Sequence, residues 1–334
     1  MDRKGRGADI AVLVCAVIFG ATLIEIGLRI AFRNSLDFGM EMWKYAVALK
    51  HTVPDPNLGF VHAPNTHAFL MGVDVRISSQ GLRDREYSYA KPAGVFRVLM
   101  LGDSTVLGWG VRVEDTAAKV LERELGAGFE VINAGVGNYG TVQEFTYYKT
   151  YGRLFHPDLV ILQYFINDPE PVPARKEGFL IDHSYLLAFT ASRWDGLLRV
   201  LRLRPDWKEY YAALYDENSE GFRAARRALV DLSRTVRADG AQFLVAILPE
   251  LRVIDGAYPF ERETRKIKDI VESQGAPVVD LIDGLRGYGP ERSLWVTALD
   301  PHPNAKAQAL IAAQLLPRVR SAAGTRVSKR SPTE

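Results

Sequence analysis

Val98-Leu99-Met100-Leu101 runs directly into Gly102-Asp103-Ser104, an unbroken apolar segment that ends in a small, polar turn. An apolar run of this length without polar alternation fits a strand buried on both faces, and such strands belong to parallel sheets covered by helices on each side. The chain downstream repeats the pattern. A helix is expected from about Val113 to Leu125, a strand from Glu130 to Asn133, a helix from Thr141 to Phe155 and a strand from Leu159 to Phe165. Phe222, Ala225, Leu229, Leu232 and Val236 then recur at spacings of three and four, marking a helix before the strand Gln242 to Leu248. Pro277 to Leu281 reads as the last strand and Asn304 to Val319 as the closing helix. Strands alternating with amphipathic helices predict a three-layer α/β/α sandwich with a mainly parallel sheet over residues 96–320.

Three segments fall outside that alternation. Residues 34–95 hold Pro54, Pro56, Pro64 and Pro92 among many turn-forming residues, and read as an accessory region of loops and short strands, with Val73 to Ile77 alternating as a half-exposed strand. Residues 169–220 interrupt the alternation as an insertion rich in Trp, Tyr, Leu and Arg. Its amphipathic part, His183 to Leu203, suits a lid, a membrane-surface element or a helical decoration packed on the core. Residues 321–334 have the small, polar composition of a flexible tail.

The first 33 residues read as a membrane anchor. Ile10 to Ile24 carries no charge, and apolar character continues to Phe32 with only Glu25 and Arg29 interrupting, an i, i+4 pair suited to the outer interface. About 20 residues at about 1.5 Å rise span the roughly 30 Å hydrocarbon layer. Arg3, Lys4 and Arg6 place the N-terminus in the cytoplasm and the rest of the chain outside it, in the periplasm if the cell is Gram-negative. A cleaved signal peptide is the competing reading, but Glu25-Ile26-Gly27-Leu28-Arg29 follows the apolar run where a small-x-small cleavage site belongs.

Composition narrows the function classes. With 334 residues, 47% apolar and 25% charged, the chain is an ordinary globular one. A net charge of +2 with dispersed basic residues argues against a nucleic-acid partner. The single cysteine, Cys15, permits no disulfide within the chain, and none of the six histidines has the spacing of a zinc helix, so neither metal nor cofactor is expected.

In a parallel α/β sheet, ligands and catalysts gather at the carboxyl ends of the strands. Gly102-Asp103-Ser104, Asn133 to Gly140, Asn167-Asp168 and Asp300-Pro301-His302 all fall on that edge or just before the last helix. These four blocks, in this order, resemble the SGNH or GDSL hydrolases over about residues 96–320, and the anchored form with a preceding region is similar to members associated with envelope polysaccharide. The resemblance implies an SGNH or flavodoxin-like sheet. It also implies Ser104 as nucleophile, His302 as base and Asp300 as the group that orients the imidazole. For the oxyanion it implies the Ser104 backbone N–H, a backbone N–H at Gly137 or Asn138, and the Asn167 side-chain amide. The usual glycine of the second block falls at Asn138, and the last block has Asp-x-His in place of the commoner Asp-x-x-His. Asp103 and Asp168 are expected to order their turns. Taken singly, Ser104 would also serve as a helix N-cap and His302 as a surface residue.

Two rival folds are answered by position. Gly135-Val136-Gly137-Asn138-Tyr139-Gly140 matches a dinucleotide fingerprint, but Asp158 stands at the start of the following strand rather than its end, and Asp168 lies too far downstream. Val106 stands where an α/β-hydrolase elbow needs glycine. The expected function is a serine-dependent acyl-ester hydrolase, a deacetylase or esterase acting on an acylated envelope carbohydrate. An O-acetyltransferase with the same site, and a non-catalytic tethered glycan-binding or assembly subunit, are the alternatives.

Overall fold

The computed structural model describes residues 3–173 and 178–330. Helices α1 (Arg3–Ala31) and α2 (Phe38–Leu49) open the chain. Two antiparallel ribbons follow: β1 (Lys50–Thr52) with β2 (Phe60–His62), and β3 (His67–Leu70) with β4 (Val73–Arg76). The core begins at β5 (Phe96–Gly102) and continues through α3 (Ser104–Leu107), α4 (Ala117–Leu125), β6 (Phe129–Gly135), α5 (Thr141–Thr150) and β7 (Leu159–Tyr164). Helices α6 (Phe179–His183), α7 (Tyr185–Val200) and α8 (Trp207–Leu214) form the insertion, of which residues 174–177 lie outside the described residues. The core then resumes with α9 (Glu220–Ala238), β8 (Gln242–Ile247), α10 (Glu261–Ser273) and β9 (Val278–Asp280). A small ribbon, β10 (Trp295–Thr297) with β11 (Asp300–Pro303), leads into α11 (Ala305–Arg330).

The five core strands form one parallel sheet in the order β6-β5-β7-β8-β9. Side chains alternate across it, as a strand's two-residue period requires. Leu99 and Leu101 of β5 point into one cluster with Tyr148 of α5, Leu229 and Leu232 of α9 and Ile267 of α10, while Val98 and Met100 point into another with Leu121 of α4 and Ile311 and Leu315 of α11. Both faces are buried, which is why β5 reads as a continuous apolar run. The result is the expected α/β/α sandwich with flavodoxin-like strand order. That order reverses between β5 and β7, and such a switch point opens a crevice beyond the strand ends. Ser104 and Asn167 follow those two strands.

The region between α1 and β5 departs from its reading as loops and short strands, because α2 is a helix of 12 residues. Its prolines all lie beyond it, the Asp37 carboxylate accepts the Met40 N–H as an N-cap, and Met40, Tyr45 and Leu49 are buried. Tyr45 and Leu49 join Val75 and Ile77 in a cluster closed by Leu107 and Trp109 of the core. In the stretch read as a flexible tail, 321–334, α11 continues to Arg330 and residues 331–334 lie outside the described residues. Ala322 packs on the same core cluster as Val319, and the Gln242 side chain donates to the Ala322 carbonyl at 2.8 Å, so packing overrides a polar composition there.

Candidate active site

The turn after β5 is built to present Ser104. Asp103 is its N-cap, accepting the Thr105 N–H at 2.8 Å and the Thr105 hydroxyl at 2.7 Å, so Ser104 is the first residue inside α3 rather than its cap. Asn133 braces the turn from β6 by donating to the Val106 carbonyl at 2.8 Å. A Cβ on Gly135 would meet the Leu107 amide nitrogen at 2.2 Å, and one on Gly140 would meet the Asp168 carbonyl at 2.5 Å. The glycines that mimic a dinucleotide fingerprint therefore serve close packing of strand and turn.

Ser104 Oγ lies 2.9 Å from His302 Nε2, and His302 Nδ1 lies 2.5 Å from Asp300 Oδ1. The shortened Asp-x-His spacing works because the same carboxylate oxygen also accepts the His302 backbone N–H at 3.1 Å. Its second oxygen accepts the Trp109 indole N–H at 3.0 Å. Burial disfavours the His302 cation, but the hydrogen bond and charge of Asp300 outweigh it and hold the imidazole above its ordinary range. Burial likewise opposes ionisation of Asp300, yet its bonds to His302 and Trp109 keep its carboxyl below the usual value. Phe38 of α2 stacks on the imidazole with ring centroids 5.5 Å apart. A hydroxyl on a carboxylate-backed imidazole is the geometry of an activated serine nucleophile.

The second block separates its two candidate donors. The Gly137 N–H donates to the Tyr45 hydroxyl at 2.9 Å and so is turned toward α2. Tyr45 in turn sits 2.6 Å from His62 Nε2, whose Nδ1 faces the Gly81 carbonyl at 3.1 Å. Burial pushes the His62 imidazole down to about 3, so it is neutral and one direction of donation runs through the chain. Asn138 takes the left-handed conformation, φ 67°, that a small amide side chain tolerates, and lines the cavity beside Ser104. Lys50 Nζ donates to the Gly137 carbonyl at 2.6 Å and to Asn138 Oδ1 at 3.0 Å, holding this turn from the N-terminal side.

Asn167 lines the same cavity, and its Oδ1 is buried with no hydrogen-bond partner. Asp168 points away, accepting the Thr141 hydroxyl at 2.9 Å and the Phe165 N–H at 3.2 Å; burial, then the nearby Asp103, push its carboxyl well up. The cavity is about 410 Å³. Its lining includes Trp207, Tyr210 and Tyr211 of α8, with Arg252 held 4.1 Å over the Trp207 ring and paired with Glu250 at 2.9 Å. Among the described residues there is no cluster of three or more His, Cys, Asp or Glu suited to a metal ion.

The model of the GDSL-like Lipase/Acylhydrolase family matches residues 100–310. This chain belongs to that family. It is therefore an enzyme that acts on ester bonds. No curated protein matches it. Among solved structures it is similar to TesA, at 16% identity over 68% of this chain and 99% of that one, with a TM-score of 0.45. It is similar to a two-domain esterase, CEX, active on acetylated mannans, at 17% identity over 72% of this chain and 52% of that one, TM-score 0.44. It also resembles the psychrotrophic esterase EstA from Pseudoalteromonas sp., at 17% identity over 68% and 98%, TM-score 0.43. Tyr45, Lys50, Trp109 and Phe38, which hold this family's site together here, carry no motif of their own.

Proposed function

We propose that this enzyme is a serine esterase that removes acyl groups from an O-acylated glycan outside the cytoplasm, held at the membrane by α1. The carrying observation is the continuous relay from Ser104 Oγ to His302 at 2.9 Å and on to Asp300 at 2.5 Å. Ser104 attacks the ester carbonyl as its proton passes to His302 Nε2. The oxyanion that forms is met by the Ser104 and Asn138 backbone N–H groups and the Asn167 amide, donors worth about 3–4 kcal/mol each when aligned. His302 then returns the proton to the departing sugar oxygen, and water, activated by the same imidazole, hydrolyses the acyl-enzyme. Asp300 stabilises the imidazolium in both steps.

The aromatic wall of Trp207, Tyr210 and Tyr211 supports a carbohydrate, because the C–H faces of a sugar ring pack on aromatic faces. Helix α1 is long and apolar enough to cross a membrane, and none of its Gly7–Ala31 span is buried in the protein. The relay distance favours catalysis over a purely glycan-binding role. A fluorophosphonate probe is expected to label the wild type and not Ser104→Ala, whose turnover of p-nitrophenyl acetate drops by about 10⁴-fold or more. Equal labelling of the two proteins sinks the assignment. Release of free acetate from envelope polysaccharide identifies water, rather than a sugar hydroxyl, as the acceptor.

A further inference from the structure

Helix α1 does not simply lead into the protein; its last turns are built into the insertion. The Glu25 carboxylate accepts hydrogen bonds from the Ser184 hydroxyl at 3.1 Å, the Tyr185 N–H at 3.0 Å and the Leu186 N–H at 2.8 Å, and so caps the N-terminus of α7. Arg29 pairs with Glu25 at 2.8 Å, donates to the His183 carbonyl and lies 5.0 Å over the Tyr185 ring. Trp43 of α2 donates to the Ile181 carbonyl at 2.9 Å and packs edge-on against Tyr185 at 4.9 Å. Phe32 meets Phe189 at 5.5 Å. These contacts set α6 and α7 at the depth where α1 ends.

At that depth the insertion turns apolar side chains outward. Phe179 is 77% exposed, Leu180 66%, Trp194 61%, Val200 80% and Leu203 69%. Exposed apolar side chains gathered in one segment, 179–203, mark a surface suited to something other than water. It is not the inner face of a lid, because only Arg199 of α7 lines the cavity. Arg193 pairs with Asp37, while Arg202, Arg204 and Lys208 cluster at the far end of this segment in the sequence, the composition that suits anionic headgroups, and Trp43, Tyr185 and Trp194 are the residue types of an interfacial belt.

We propose that α6 and α7 lie in the interface of the bilayer that α1 crosses, seating the catalytic domain on the lipid surface with the cavity mouth beside it. The proposal rests on α1 remaining in the membrane, and it commits to lipid as what covers Phe179, Leu180, Val200 and Leu203. Glu25 is then a structural cap at the outer boundary.

Full-length protein with Cys15→Ser, reconstituted into phosphatidylethanolamine and phosphatidylglycerol vesicles, tests it by spin-label power saturation. Single nitroxides go onto Ile18→Cys, Leu180→Cys, Val200→Cys and Leu154→Cys, each variant first shown to keep fluorophosphonate labelling and hence its fold. The expected result is an oxygen-to-nickel-chelate accessibility ratio several-fold higher at positions 18, 180 and 200 than at 154. Lipid-like access at 18 with aqueous access at 180 and 200 overturns the interfacial seat while leaving the anchor intact. Aqueous access at 18 removes the anchor and the seat together. Exclusion of both reagents from 180 and 200 with dipolar broadening assigns the patch to a second copy of the chain and also overturns it.

Discussion

Asp300 reaches an imidazole two residues away by using one carboxylate oxygen twice, for the His302 backbone N–H and for Nδ1. The second oxygen is taken by Trp109, so the anion is fully paired where burial would otherwise favour its protonation. The sign of the pH effect follows. A base must be neutral to accept the Ser104 proton, and the His302 pKa is raised above its ordinary 6.5, so activity should fall on acidification with a midpoint above 6.5. Asp300→Asn removes the carboxylate that raises it. That variant should move the acid limb to lower pH and reduce kcat by about 10²–10⁴-fold, read from kcat/KM profiles on p-nitrophenyl acetate. An unmoved limb would detach Asp300 from the imidazole's titration. The raised His302 also favours the folded state most strongly below the unfolded histidine pKa, and that contribution fades as pH rises through the folded value. Ser104 and His302 were legible because each sits in a short motif at a strand or helix boundary. Trp109 was not, since its partner is 191 residues away.

At the scale of elements, the accessory region acts on the second block of the core. The α2 residue Tyr45 receives the Gly137 N–H, and Lys50 of β1 holds the Gly137 carbonyl and the Asn138 side chain. Together they fix a left-handed turn whose Asn138 amide is one of the proposed oxyanion donors. Lys50→Met should therefore lower kcat by about tenfold or more with little change in KM, because a lost positioning contact weakens the transition state rather than ground-state binding. Tyr45→Phe, which keeps the ring but frees the Gly137 N–H, should fall between wild type and Lys50→Met. Unchanged kcat in both variants, with melting temperatures shifted, would reduce the clamp to a purely structural role. The helix carrying Tyr45 was hidden by the prolines that follow it, although the Asp37 cap and the buried positions 40, 45 and 49 were present in the chain. Its role required the fold, because Gly137 is 92 residues from Tyr45.

At the scale of the whole molecule, the described residues hold one helix long and apolar enough to cross a membrane, and the proposed anchor with a cytoplasmic N-terminus makes a prediction about which side the catalytic domain occupies. A C-terminal alkaline phosphatase fusion should be active and a C-terminal green fluorescent protein fusion dark in a Gram-negative host; the reverse pattern would place the serine chemistry in the cytoplasm. Periodicity, strand-end motifs and the uncharged N-terminal run are carried by neighbouring residues, so the sandwich, the order of the four blocks and the apolar helix were settled by the amino-acid sequence alone. Side-chain contact across 80 or more residues is set by packing, which no local pattern encodes. Only the tertiary structure could therefore pair the Gly137 N–H with Tyr45, extend α11 through its polar end, and join Glu25 to the start of α7.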